Sequence, residues 1–287
     1  MAIIITSDSS CDLNQNQLEE FNIKTLPLYV NLNGEEFRDG VNITPKDIFQ
    51  FVKDYKKLPK TSAISVADYI VFFKNILKEN KDSDIIHIGL SSELSTSYNN
   101  ALNASKEFNG NVTVIDGKNL STGTGLLVLH AAKLASQGYS KPAIIESVKK
   151  RVPFVQSSFI IQEIEYLYRG GRCSAIAMLG ANLLKIKPRI QVVDGKMKPN
   201  GKPRGKMLPV LKQYIDDVLN EYNTPDKEIC FVTHSSIEPE VAEEVKTYVE
   251  SKNIFNEVVI TTAGSTITSH CGKGTLGILY INDGGKV

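Results

Sequence analysis

Three short segments of this 287-residue chain concentrate hydroxyl, imidazole and backbone donors: Thr61-Ser62, Leu94-Ser95-Thr96-Ser97-Tyr98 and Ser269-His270-Cys271-Gly272. Each falls where an apolar strand gives way to a helix or another strand, so each is expected to be a turn. No acidic cluster stands beside them. Such groups suit holding an anion better than a metal or a sugar. Of the four histidines, His87 falls in an apolar strand, His130 in a helix and His234 at a strand end, and all three read as structural. His270 differs, because it lies between hydroxyl residues and a glycine turn, where its imidazole can donate to an anion.

Other segments carry competing readings. Ser7-Asp8-Ser9-Ser10-Cys11-Asp12 could supply a nucleophile, with Asp8 as carboxylate or Cys11 as thiolate. The favoured reading is that these groups bind one another and cap a helix beginning near Asn14. Tyr168-Arg169-Gly170-Gly171-Arg172 could bind a phosphate, or its glycines could simply permit a tight turn; both readings stay open. The basic segments Lys185-Ile186-Lys187-Pro188-Arg189 and Lys202-Pro203-Arg204-Gly205-Lys206 are either a solvated face or a docking surface for an acidic partner. Cys271-Gly272-Lys273-Gly274-Thr275 places a glycine where a phosphate loop needs Ser or Thr. Gly123-Thr124-Gly125 lacks the third glycine of a dinucleotide fingerprint. No nucleotide cofactor is therefore expected.

The elements that must position these residues alternate through the first half. Strands are expected at Ala2 to Thr6, Asp84 to Leu90 and Val112 to Ile115, with an extended stretch from Lys24 to Leu32 ending at the turn Asn33-Gly34. Helices are expected from Asn14 to Phe21, after Thr44-Pro45, after the cap Ser65, from about Ser95 to Phe108, from Leu120 to Ser136 and from Ser140 to Lys150. This alternation implies a parallel sheet covered on both faces, with ligands at the carboxyl ends of the strands. Ser7 to Ser10, Ser91-Ser92 and Asp116-Gly117 would all fall there.

Arg151-Val152-Pro153 marks a candidate boundary, giving an N-terminal α/β domain over residues 1–153 and a C-terminal α+β domain over 154–287 with a mixed or antiparallel sheet. In the second half, strands are expected at Ser158 to Gln162, Ile229 to Thr233, Val258 to Thr262 and Thr275 to Ile281, with a hairpin around Asp194-Gly195. A helical turn or two at Glu163 to Tyr168, an apolar helix at Ala175 to Leu184, and amphipathic helices at Met207 to Tyr222 and Pro239 to Glu250 complete it.

The length favours two domains over one core. A net charge of +1 gives no broad reason to bind nucleic acid or an anionic membrane, so partners must be argued from a local site. The N-terminus lacks a basic leader and no apolar run is long enough to cross a bilayer, so a cytoplasmic protein is expected. The four cysteines, Cys11, Cys173, Cys230 and Cys271, are widely spaced with no C-x-x-C pair, which argues against a disulfide framework and a zinc site. Cys230 reads as a small core residue.

Seven segments, in this order, resemble the DegV family: Ser7-Asp8-Ser9-Ser10, Lys60-Thr61-Ser62, Leu90-Ser91-Ser92-Glu93-Leu94-Ser95, Val114-Ile115-Asp116, Gly170-Gly171-Arg172, Lys185-Ile186-Lys187-Pro188 and His270-Cys271-Gly272-Lys273-Gly274. The resemblance implies two α/β domains and a tunnel for a long-chain fatty acid such as palmitate, stearate or oleate, with its carboxylate near the domain interface. It places the head group at Thr61, Ser62, Ser95 and His270. Arg204 matches a basic surface position linked to docking or phosphate handling, and Arg172 is a second candidate for that role. It also implies a separate fatty acid kinase catalytic subunit, using ATP and magnesium, that phosphorylates the bound carboxylate; the binding protein itself would need no cofactor and would not be the catalyst. The chain departs from the family pattern at Ala63-Ile64, where Gln-Pro is frequent, at Thr96-Ser97, where Gly-Thr is frequent, and at Lys273, which would add a cation beside His270. The rival expectation is a hydrolase or phosphoryl-transfer enzyme acting on an acyl or phosphate ester through Cys11, Asp8 or His270. A nucleic-acid-binding regulator lacks both a basic stripe and an aromatic platform.

Overall fold

Alternation at single-residue resolution builds the first half. In the computed structural model, which describes residues 2–179 and 186–285, strand β1 (Ala2–Asp8) turns Ile4 toward one core and Ile5 toward another. Strands β6 (Ser83–Gly89) and β7 (Val112–Asp116) do the same with Ile85 against Ile86 and Val114 against Ile115. Period-two burial on both faces is what a covered parallel sheet requires. With β2 (Lys24–Leu26) these strands form a four-stranded parallel sheet in the order β2-β1-β6-β7. Helices α3 (Val66–Glu79) and α4 (Ser97–Ser105) cover one face, and α5 (Thr122–Ser136) and α6 (Lys141–Arg151) the other.

A small antiparallel sheet is attached to this unit. Strands β3 (Tyr29–Leu32) and β4 (Glu35–Arg38) form a hairpin through Asn33 and Gly34, both at positive φ, as a tight primed turn demands. Strand β5 (Lys60–Ser62) pairs with the other edge of β3. Helix α2 (Pro45–Tyr55), capped by Thr44, buries Ile48 against Val30 and Ile43. The remaining helix of this half, α1 (Gln15–Glu20), is capped by Asn14 and Gln17.

The second half is a six-stranded mixed sheet. Its strands are β8 (Val155–Ile160), β9 (Arg189–Val193), β10 (Lys196–Pro199), β11 (Ile229–Ser235), β12 (Glu257–Thr262) and β13 (Thr275–Ile281), in the order β10-β9-β8-β13-β11-β12. All pairs are antiparallel except β11 with β12. Helices α8 (Met207–Glu221) and α9 (Pro239–Glu250) cover one face. The other face presents Phe231, Leu279 and Ile281 to α5, so α5 lies between the two sheets and is buried on nearly every side. The short helices α7 (Ile164–Gly170) and α10 (Ser265–Cys271) pack on one another. The chain passes from one sheet to the other through a 3-10 turn at Val152–Phe154, and a division between residues 153 and 154 would fall inside it.

Several elements differ from those expected from the sequence. Thr61 and Ser62 lie in strand β5 instead of a turn, and His270 sits in the last turn of helix α10. The Ser7 to Asp12 segment does not cap α1; Asp8 caps the 3-10 turn Ser9–Cys11, and Asn14 serves α1. Ser174–Leu179 forms a 3-10 helix in place of the start of the expected α-helix, and the rest of that expected helix lies outside the described residues. Strand β4, polar throughout except Phe37, was not expected at all and is held by its hairpin partner.

Candidate functional site

At the carboxyl ends of β1, β6 and β7, where open parallel sheets bind ligands, lies a cavity of about 340 Å³. Thr61, Ser62, Ser95, Arg172 and His270, from four separate stretches of the chain, all line it. Leu28, Leu90, Leu94, Leu120, Met197 and Ile267 supply an apolar wall. Arg204 does not join them; it is exposed, on the loop between β10 and α8. Lys273 is likewise exposed and outside the lining.

The backbone near Ile64 brings the hydroxyls together. Ser97 of α4 accepts from the Ile64 N–H at 3.3 Å, and Asn100 Nδ2 donates to the Ile64 carbonyl at 2.7 Å. This clamp lays the end of β5 beside the turn before α4. Ser95 Oγ sits 2.9 Å from Ser97 Oγ and accepts the Ser97 N–H at 3.2 Å. The Ala63-Ile64 departure from the family pattern therefore has a packing role, with Ile64 fully buried in the first core.

His270 reaches the same place from the other half. Its Nε2 lies 2.8 Å from Thr61 Oγ1. Its Nδ1 is buried without a partner and faces Gly170, where an added Cβ would stand only 2.5 Å away. Only glycine leaves room for the ring. Burial, with the nearby Arg172 guanidinium second, pulls the His270 pKa down to about 4, so the imidazole is neutral near pH 7. A buried bare lone pair at Nδ1 costs less than an unpaired N–H, so the proton is assigned to Nε2, which donates to Thr61 Oγ1. The Thr61 hydroxyl is then free to donate to a ligand. Arg172 donates from Nη1 to the Gly170 carbonyl at 2.7 Å, and its exposed guanidinium sits at the cavity rim.

The other candidates serve the structure. Asp8 is fully buried and accepts from the Ser10 and Leu90 N–H groups at 3.1 and 2.8 Å, and burial raises its pKa. Burial pushes the Cys11 thiol up to about 12, which removes the thiolate at neutral pH. Cys271 lines the cavity with its thiol also pushed up to about 12. Cys230 is fully buried in the core between β-sheet and α8. His87 bonds Thr6 at 3.0 Å, packs against Tyr69 and Phe73, and is driven by burial to about 3. Ser269 bonds the Ser265 carbonyl at 2.7 Å and does not face the cavity.

Sequence reasoning missed what holds α10. Asp12 accepts the Gly264 N–H at 2.8 Å, and Asp39 accepts those of Ser265 and Thr266 at 2.7 and 3.2 Å. The local signal is Gly264 at the N-cap position followed by Ser265 as the first helical residue, a weak start signature.

The model of the family described as "Uncharacterised protein, DegV family" matches residues 2–283. This chain belongs to the DegV family. A DegV domain-containing protein of Staphylococcus aureus is 30% identical over 281 residues, covering 97% of this chain and 98% of its own length. Among solved structures, a fatty-acid-binding DegV family protein of Thermus thermophilus superposes with a TM-score of 0.89 at 28% identity, covering 98% of this chain and all of the other. A stearic acid-binding protein of Eubacterium ventriosum superposes at 0.86 and 26% identity over the whole of both chains. The DegV architecture thus accounts for the parallel and the mixed sheet. Among the described residues, no helix is long and apolar enough to cross a membrane.

Proposed function

We propose that this chain binds a long-chain fatty acid, with the carboxylate at Thr61, Ser62, Ser95 and His270 and the acyl tail along the apolar wall. The observation that carries this reading is the convergence of hydroxyls and a neutral imidazole on one end of an apolar cavity. The fatty acid ligands of the Thermus thermophilus and Eubacterium ventriosum proteins support it. About fourteen methylenes at about 0.8 kcal/mol each give a gross tail contribution of about 11 kcal/mol. Hydrogen bonds to a charged carboxylate add about 1.5 to 3 kcal/mol each before the cost of its lost water. The tail sets affinity and the head group sets orientation.

The reading extends to presentation of the carboxylate to a separate kinase for acyl phosphate formation, with the chain itself not catalytic. Ser62 and Arg172 are exposed at the rim, which would leave the head group within reach of a docked enzyme, and Arg172 and Arg204 are the proposed contacts for that partner or its phosphate. The 2.8 Å Thr61–His270 contact would suit a nucleophile and its base only in the other tautomer, with Nε2 accepting from the hydroxyl, and that is the observation behind the hydrolase alternative. Against it, a base with a pKa near 4 is poorly matched to neutral pH, and the Nδ1 of His270 faces Gly170 where an orienting carboxylate would be needed.

The test is the double variant Thr61→Ala with Ser95→Ala. Weakened palmitate binding in a folded protein, with loss of kinase-dependent acyl phosphate formation, supports the reading. Unchanged binding and unchanged turnover would remove these residues from the head-group site.

A further inference from the structure

Helix α10 is poorly equipped to form on its own. It has seven residues, Ser-Thr-Ile-Thr-Ser-His-Cys, of which five are hydroxyl-bearing or β-branched, and its N-cap, Gly264, has no side chain to offer the first N–H groups. Yet it contributes Thr266, Ile267, His270 and Cys271 to the cavity. Its missing caps come from the other half of the chain. The carboxylate of Asp39, on the segment after β4, takes two successive N–H groups, one on each oxygen: Ser265 to Oδ1 at 2.7 Å and Thr266 to Oδ2 at 3.2 Å. Asp12 takes the Gly264 N–H through Oδ1 at 2.8 Å, while its Oδ2 accepts from Ser121 at the head of α5. Ser265 Oγ closes the joint by donating to the Ile43 carbonyl at 3.2 Å.

Both carboxylates are themselves fixed. Asp39 and Asp12 are only 3% and 6% exposed, so the bonds are shielded from competing water. Asp39 Oδ2 also accepts from Ser9 Oγ at 3.0 Å, and the same hydroxyl accepts the N–H of Leu28, a cavity-wall residue, at 3.1 Å. Gly264 makes the approach possible, since a Cβ there would lie 3.1 to 3.2 Å from the oxygens of both carboxylates.

We infer that Asp39, seconded by Asp12, is a positioning residue for the head-group site: it staples the N-terminus of α10 to the first half of the chain so that His270, at the far end of the helix, meets Thr61. Neither carboxylate lines the cavity. Their effect is transmitted through one helix. This inference rests on the fatty-acid reading for its ligand, but the Thr61–His270 contact that it governs exists without one.

The experiment compares Asp39→Ala, Asp39→Asn and Gly264→Ala with the unaltered chain in two measurements. The first is affinity for palmitate against hexadecanol, which shares the tail and lacks the charge. The second is the imidazole nitrogen NMR signature of His270 in the ligand-free protein. Asp39→Ala should lose about tenfold in palmitate affinity, the equivalent of one head-group hydrogen bond, with hexadecanol binding unchanged and the Nε2–H signature of His270 altered. Asp39→Asn, which keeps one acceptor oxygen, should recover part of the loss. Gly264→Ala, which keeps both carboxylates and crowds them, should show the same change in the His270 signature in a variant expected to fold. An unchanged His270 signature in folded Asp39→Ala and Gly264→Ala would overturn the inference, as would an equal loss for acid and alcohol. If the unaltered chain binds neither compound, the fatty-acid reading fails, and the His270 signature alone still decides the positioning role.

Discussion

Thr61 and His270 stand 209 positions apart in the chain and meet at 2.8 Å across the mouth of one cavity. One lies on an edge strand of the small sheet and the other on the last turn of α10. Their contact makes the cavity a joint product of both halves of the molecule. A ligand bound there would be held from two sides.

Removing the Thr61 hydroxyl should therefore cost twice, once in the ligand bond and once in the orientation of the imidazole. Thr61→Val should lower fatty acid affinity by about ten- to a hundredfold, since a hydrogen bond to a charged group contributes about 1.5 to 3 kcal/mol. A double-mutant cycle with His270→Ala should be non-additive. Calorimetric titration of the four proteins with palmitate measures it, and strictly additive losses would mean that the two residues act separately.

Gly170→Ala probes the same contact from behind. Gly170 is the last residue of α7 and is not at positive φ, so alanine gains up to about 1 kcal/mol of helix propensity there. The added Cβ would stand 2.5 Å from His270 Nδ1. Overpacking of that kind costs about 1 to 3 kcal/mol. Denaturant unfolding should show a net loss of stability, together with weaker fatty acid binding.

His270 should respond to loading. Its pKa is depressed to about 4 by burial and by Arg172. A carboxylate delivered beside the ring favours the imidazolium, so the midpoint must move upward when ligand binds. Between the two midpoints, binding takes up a proton. An NMR titration of His270 in empty and loaded protein checks this, and coincident curves would place the carboxylate elsewhere.

Stability should carry two opposing pH dependences. His87 and His270 are buried neutral, with midpoints near 3 and 4 against an ordinary 6.5, so their contribution is complete above pH 6.5 and is lost as the pH falls through those values. Burial instead raises Asp12 from 3.8 to about 8, so its contribution is greatest below pH 3.8 and is lost as the pH rises through about 8. Asp12→Asn removes the share of the second dependence that Asp12 supplies, while Asp8, also raised by burial, keeps its own. The stability difference between the unaltered chain and that variant should shrink steadily from pH 5 to pH 8, measured by chemical denaturation at each pH.

The parts of the fold that were legible in the sequence are those whose local pattern and tertiary role agree. Ile4 and Ile5, or Ile85 and Ile86, announce a strand buried on both faces, and Thr44-Pro45 and Ser65 announce helix starts, because caps and periodicity are local properties. The candidate residues Thr61, Ser62, Ser95, Arg172 and His270 are legible by type, and they converge on one cavity. Their settings were not. Strand β5 is three polar residues held by pairing with β3, and α10 is a poor helix former held by Asp12 and Asp39 from more than two hundred positions away. No window of sequence contains the partner that decides either. Arg204 lies on an exposed loop outside the cavity lining, and a basic loop carries no information about which surface it faces.

The central claim is tested most directly by mass spectrometry of the purified protein, first in its native state and then after extraction with organic solvent. The account predicts a long-chain fatty acid at about one per chain, displaced or exchanged by added palmitate or oleate. A protein that carries no acyl chain and takes up neither added acid would contradict it, and would turn attention to the Thr61–His270 pair as reactive groups.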